Sequence, residues 1–287
     1  MTAPNQLEAV ACPLCGARDD KKLYEKDGFN VVQCRACALV YINPRLSAIA
    51  LEALYNANVI SPQDYYQEHI SQDLKHFSKR LAIIERYKKS GSMLDIGTNV
   101  GTMLKVAKDK GWQVRGVEFN HEAVKFGNEH FGVNIEDRDF TKTKYEPASF
   151  DVVTMNDVIE HVTDPVTTLK EIHTILKKDG ILFLTTPNIG ALMARITKSH
   201  WLHLKPNEHL TYFSPHTIRV LLERAGFKLD HLQSIGHVRT LETVLKKGRA
   251  YTSIPDALFR VVPKKLKENI SLHIDSGDEM AVVAEKI

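Results

Sequence analysis

From Ser92 onward the chain alternates short apolar strands with amphipathic helices, and nothing else in the sequence constrains its fold as strongly. Met93–Gly97 reads as a strand, Thr102–Lys110 as a helix, Gln113–Phe119 as a strand and His121–Gly127 as a helix. Val133–Glu136 and Phe150–Asn156 continue as strands, Pro165–Lys177 as a helix N-capped by Asp164, and Gly180–Thr186 as a strand. Ser214–Ala225 reads as a helix capped by Ser214-Pro215 and closed by Gly226, with strands near 229–235 and 279–286. Alternation of this kind implies a parallel sheet covered by helices on both faces. The class is α/β, with no internal repeat and no low-complexity tract.

The first of these strands runs into Leu94-Asp95-Ile96-Gly97-Thr98-Asn99-Val100-Gly101 and then a helix. Glycines here let the backbone turn sharply and approach a ligand at the helix N-terminus. Glu118 ends the second strand, 21 residues after Gly97, where a carboxylate can accept the hydroxyls of a ribose. That much serves a dinucleotide or another adenosine cofactor. The middle glycine of a dinucleotide loop is replaced by Asn99, and Asp95 at the strand end would repel a pyrophosphate. A carboxylate there suits a cofactor whose end carries an ammonium and a sulfonium.

With the strand Phe150–Asn156 and the following Asp157-Val158-Ile159-Glu160-His161-Val162, residues 92–235 resemble the class I S-adenosylmethionine-dependent methyltransferases, and 279–286 fits their final strand. The resemblance implies a Rossmann-like seven-stranded sheet with helices on both faces. It implies that Asp95, Gly97 and Gly101 hold the methionine end of S-adenosylmethionine. Glu118 would take the ribose hydroxyls, and Phe119 would pack on the adenine. Asp139 and Phe140 would cap the adenine amino group, and Asn156 would sit beside the sulfonium and the acceptor. Read singly, Asp95 also serves as a helix N-cap, and Phe119 or Phe140 as core.

All four cysteines, Cys12, Cys15, Cys34 and Cys37, lie in the first 37 residues as two Cys-x-x-Cys pairs separated by 18 residues. This spacing matches a tetrahedral zinc site. Lys21–Tyr24 and Phe29–Gln33 read as short strands joined at Asp27-Gly28, which makes a zinc ribbon. A piece this short buries little core, so a metal would contribute folding energy directly. A redox pair and disulfides are the rivals; the first explains only one pair, and the second needs an oxidising compartment for which no targeting signal is seen. Four thiolates leave no open position for chemistry, so the zinc is expected to be structural.

The chain then divides into a ribbon over 1–46, a helical connector over 47–90 and a catalytic domain over 91–287. Ser47 caps a helix over 47–57. Leu74, Phe77, Leu81, Ile84 and Tyr87 give helical steps across 62–89, which Gly91 stops. Residues 240–270 form an insertion carrying Leu241, Val244, Leu245, Leu258, Val261 and the pairs Lys246-Lys247 and Lys264-Lys265. It reads equally as a cover for the acceptor pocket or as a solvated hairpin.

Chemistry beyond the cofactor falls on Glu160-His161, after the fourth strand, and on the stretch from Pro187-Asn188 through Trp201, His203 and Asn207–Phe213. His161 and His209 are the candidate bases and Tyr212 a candidate orienting group; among 13 histidines each has packing as its rival role. An Asn/Asp-Pro-Pro-aromatic signature of amino-methylation is absent, which favours oxygen or carbon acceptors. The ribbon, Tyr41-Ile42-Asn43-Pro44-Arg45, Glu160-His161 and His209–Phe213 together resemble a bacterial group. It is linked with sugar, polysaccharide and secondary-metabolite modification, and its catalytic domain is similar to quinone-type O-methyltransferases.

The expected activity is methyl transfer to a hydroxyl or carbon of a small molecule, a sugar or related metabolite. A ribbon that grips RNA is a second reading, through Lys21, Lys22, Lys26 and Arg35. Yet Lys+Arg of 38 against Asp+Glu of 35 provides little footprint for nucleic acid. A non-enzymatic binding module is a third, opposed by the intact Asp95, Gly97 and Glu118. No apolar run reaches membrane-spanning length and no signal peptide is seen, so the expected location is cytoplasmic. The acceptor and the oligomeric state stay open.

Overall fold

The computed structural model describes residues 7–57, 62–240 and 271–287. The N-terminal part contains β1 (Leu7–Glu8), β2 (Asp20–Lys26), β3 (Phe29–Cys34), β4 (Val40–Ile42), β5 (Arg45–Leu46), α1 (Ala48–Ala57) and α2 (Pro62–Ile84). There follow β6 (Ser92–Ile96), α3 (Thr102–Asp109), β7 (Gln113–Glu118), α4 (His121–Phe131), β8 (Ile135–Asp137), β9 (Phe150–Asn156) and α5 (Pro165–Ile175). The remainder is β10 (Leu176–Pro187), α6 (Leu192–Thr197), β11 (Thr211–Tyr212), α7 (Pro215–Arg224), β12 (Phe227–Ser234), β13 (His237–Thr240), β14 (Ser271–Ile274) and β15 (Glu279–Lys286).

Seven strands form the main sheet in the order β12-β15-β10-β9-β6-β7-β8. From β10 to β8 they are parallel, and β15 runs antiparallel to both of its neighbours. Val152, Val153 and Met155 of β9 and Leu182, Phe183 and Leu184 of β10 are all buried, as befits central strands with a helical layer on each face. The chain leaves β6 in one direction and returns to β9 on its other side. Ligands bind at the carboxyl ends of the strands at such a reversal. The α/β fold and the seven-stranded sheet are therefore those expected.

Local chemistry sets the element ends. The Asp164 side chain accepts from Thr167 N at the start of α5, and Ser214 and Thr217 form a reciprocal capping box on α7. The helix expected over 165–177 stops at Ile175 because Leu176 pairs with Phe150 in the parallel ladder. The helix expected over 62–89 ends at Ile84, where Tyr87 N turns back to the Ile84 carbonyl. Val133, expected in a strand, is buried ahead of β8, which starts at Ile135. The β13–β14 pair was not anticipated. Beyond Thr240, the insertion expected over 240–270 lies outside the described residues.

The N-terminal cysteine-bearing sheet takes in a strand from much later in the chain. It has the order β11-β4-β3-β2, so the fourth strand comes from Thr211–Tyr212, paired with Tyr41 and Val40. Trp201 and Tyr212 are fully buried in one cluster with Val31, Val40 and Ile42 of the ribbon. Truncating an aromatic of this kind costs about 3–5 kcal/mol. Among the described residues no helix is long and apolar enough to cross a membrane.

Candidate active site

Asp95, in β6, is 2% exposed and lies at the reversal point. Its Oδ1 accepts from Thr154 Oγ1 at 2.5 Å and from Asn156 Nδ2 at 3.2 Å, both from β9. The N-cap of the helix that follows is Gly101, with no side-chain cap, so Asp95 is not spent as a cap. Burial pushes its carboxyl up to about 6, against the pull of Thr154, Thr98, Asn156 and Arg80. Gly97 and Gly101 adopt φ of 68° and 80°. A Cβ on Gly97 would meet the Val158 side chain at 2.6 Å, so glycine is required for the close approach of this loop to the one after β9. Asn99 takes φ 51° without being glycine.

Glu118 ends β7 and is buried. Its Oε2 accepts from Asn99 N at 2.9 Å, and Oε1 accepts from Phe119 N and Asn120 N at 2.9 and 3.0 Å. A carboxylate has about four acceptor positions, so these three bonds leave room for a hydroxyl donor while tying the glycine loop to the strand end. Phe119 is 50% exposed beside it, a flat apolar surface open to a ligand. Asp139 caps a short 3-10 turn through Thr141 N and Oγ1. Phe140 is buried and stacks on Tyr145.

Sequence reasoning missed Arg80. This α2 residue is 6% exposed, and its guanidinium reaches the carboxyl edge of the sheet. Nη1 donates to Asn156 Oδ1 at 3.0 Å and to Asp157 Oδ2 at 3.3 Å; Nη2 donates to Asp157 Oδ2 at 3.2 Å and to Glu279 Oε1 at 2.6 Å. Its position, three after Phe77 and four before Ile84, puts a charge on the apolar stripe of the helix. That was the available signal.

Glu160, His161 and His209 come together, with ligand atoms within 4.8 Å of one another. Glu160 is fully buried, accepts from Thr186 Oγ1 at 3.0 Å, and is driven well above the carboxylate range by burial and by Asp157 and Glu279. His161 Nδ1 donates to the Glu208 carbonyl at 2.9 Å, which fixes Nε2 as the basic nitrogen. Burial lowers its pKa. His209 meets it edge to face at 4.7 Å between ring centroids. Burial and then the neighbouring His161 push His209 down to about 2, so it stays neutral and is a weak base. Tyr212 is 1% exposed and lies in the cluster shared with Val31, Val40 and Ile42.

The cysteines also converge. Cys12 and Cys37 Sγ are 3.5 Å apart, as are Cys15 and Cys34, and all four lie within 4.8 Å of one another. A disulfide needs about 2.05 Å. Four sulfurs bonded to one zinc at about 2.3 Å sit roughly 3.8 Å apart, close to this arrangement. Backbone N–H groups of Leu14 and Cys15 point at the Cys12 sulfur and that of Leu39 at Cys37, which favours thiolates. Burial opposes this, raising Cys12 and pushing Cys37 up to about 11.

Two buried carboxyls thus stand on adjacent strand ends with a glycine loop between them and an exposed aromatic beside them, and the comparisons identify the chain as an S-adenosylmethionine-dependent methyltransferase. The family described as "Methyltransferase domain" matches residues 66–232, and the chain belongs to it. Curated relatives include a ubiquinone biosynthesis O-methyltransferase of Chromobacterium violaceum, 27% identical over 55% of this chain and 74% of that protein. Another is a ubiquinone/menaquinone biosynthesis C-methyltransferase of Geotalea uraniireducens, 26% identical over 64% and 92%. In fold, the chain is similar to the 1,6-didemethyltoxoflavin-N1-methyltransferase of Burkholderia thailandensis, solved with S-adenosylhomocysteine. The TM-score is 0.54 at 15% identity, covering 93% of this chain and 99% of that one.

Proposed function

We propose that this enzyme transfers a methyl group from S-adenosylmethionine to a hydroxyl or carbon of a small molecule, a sugar or related hydroxylated metabolite. The observation that carries the reading is the pairing of Asp95 and Glu118 at adjacent strand ends around the glycine loop. Bound S-adenosylmethionine supplies an electrophilic methyl on a sulfonium. Asp95 receives the ammonium, Glu118 a ribose hydroxyl, and Phe119 covers the adenine; Gly97 and Gly101 let the backbone close in. Asp139 and Phe140 border the adenine end, the first through its turn and the second from the core. Asn156 shapes the floor between cofactor and acceptor.

Of the candidate bases, His161 fits best: Nε2 carries the lone pair, and the Glu208 carbonyl fixes the tautomer. It would take the proton of an acceptor hydroxyl as the oxygen attacks. His209 supports that ring, and Tyr212 joins the segment to the ribbon. Relatives named for O- and C-methylation favour the same acceptor atoms, and quinone precursors belong in the test panel beside sugars. Transfer of radiolabelled methyl to that panel tests the reading; transfer to none of the hydroxylated compounds with transfer to amines would overturn it.

The four cysteines are proposed to hold a structural zinc ion, and the chain to divide at about residues 46 and 90. An RNA substrate is disfavoured by the ribbon's own basic residues. Lys22 pairs with Glu25, Arg35 with Asp19, and Lys26 donates to the Leu204 carbonyl.

A further inference from the structure

We propose that Arg80 is a positioning residue for the cofactor site: through Asn156 it sets the Asp95 carboxylate, and through Asp157 and Glu279 it locks α2 to the strands beside that carboxylate. The inference rests on the assignment of Asp95 to the ammonium of S-adenosylmethionine.

An asparagine amide has one accepting end and one donating end, and a guanidinium only donates. Arg80 therefore draws Asn156 Oδ1 to itself at 3.0 Å, which leaves Nδ2 facing Asp95 Oδ1 at 3.2 Å. Thr154 gives the same oxygen its second donor. Without the guanidinium, the amide would be held in this orientation by its hydrogen bond to Asp95 alone.

Charge points the same way. The groups acting on Asp95 are Arg80 from α2, the hydroxyl of Thr154 and amide of Asn156 from β9, and Thr98 from the glycine loop. Arg80 is the cation among them, and it also faces the carboxylates of Asp157 and Glu279. Asp95 in its buried site stays ionised near neutrality with the help of a residue 15 positions upstream. A neutral Asp95 would not match an ammonium. Glu279 opens β15, opposite Pro187 at the carboxyl end of β10, so one side chain ties α2, β9 and β15 together around the site.

The test is a carboxyl carbon-13 titration of the cofactor-free, full-length enzyme labelled at aspartate, with Asp95→Asn to assign the resonance. The wild-type midpoint is expected near 6. Arg80→Gln should raise it by at least about one pH unit, equivalent to a tenfold change in the ionisation constant. Arg80→Lys should recover part of the shift. In calorimetric titration at pH 7, Arg80→Gln should weaken S-adenosylmethionine binding about tenfold, with the gap narrowing at higher pH. If Arg80→Gln fails to fold, Asn156→Ala keeps the Arg80–Asp157–Glu279 pairs and should still raise the midpoint. An unchanged midpoint in the folded variants overturns the proposal, and a lower melting temperature alone would make Arg80 a purely structural clamp. If the midpoint moves as expected but wild-type enzyme binds no S-adenosylmethionine, it is the cofactor assignment that fails.

Discussion

The ribbon and the carboxyl edge of the main sheet both gather acidic side chains, and they surround them differently. At the sheet edge the protein provides its own counterion: Arg80 lies within 3.3 Å of Asp157, Glu279 and the Asn156 amide that touches Asp95. In the ribbon four sulfurs converge within 4.8 Å, and the largest causes acting on the Cys12, Cys15 and Cys37 thiols are burial, backbone N–H groups and neighbouring thiols. The first arrangement draws its counterion from the fold itself. The second is proposed to draw its counterion from a bound zinc ion.

The largest effect separating the two regions should come from Cys12→Ser. Structural zinc in small modules is worth about 10–16 kcal/mol of apparent binding, so this variant should lose its zinc and melt the ribbon together with β11. Metal analysis of the purified variant checks it, and full zinc content would refute ligation by the four cysteines. Asp95→Ala should leave the fold intact and weaken S-adenosylmethionine binding about 10- to 100-fold, the loss of a charge-assisted hydrogen bond. Glu118→Ala should act in the same direction; normal affinity in both would remove the site from this edge.

His161→Gln should lower kcat about 100-fold with a hydroxyl acceptor while the affinity for S-adenosylmethionine holds, as measured by calorimetry alongside kinetics. Binding should also weaken as pH falls through about 6, where Asp95 takes up a proton. Because the folded value of Asp95 lies above its ordinary 3.8, its contribution to stability is full below that value and lost as pH rises through about 6. Asp95→Asn should flatten both dependences. The smallest effect belongs to the ribbon again. Ala38 sits at φ 63°, in the second knuckle, where the first has Gly16 at φ 77°. Ala38→Gly should raise stability by about 1 kcal/mol, read as a small rise in melting temperature.

What could be read from the sequence follows from how local each device is. Asp95, Gly97, Gly101 and Glu118 belong to one strand–loop–helix–strand unit, so their spacing alone places them together. The two Cys-x-x-Cys pairs are local in the same way. Arg80 and Glu279 lie 199 residues apart and meet only through the tertiary fold. A charged residue in an amphipathic helix is ordinarily read as solvated. The strand that β11 adds to the ribbon is two residues long, too short for any periodicity to reveal. Tyr212 lies in that strand, so neither its pairing with Val40 nor its burial could be read from the sequence.

The most direct measurement is a calorimetric titration of the purified enzyme with S-adenosylmethionine and, in parallel, with NAD. The expected result is micromolar binding of the first alone, weakened about 10- to 100-fold by Asp95→Ala. Binding of NAD, with no response to S-adenosylmethionine whether or not candidate acceptors are present, would contradict the central claim.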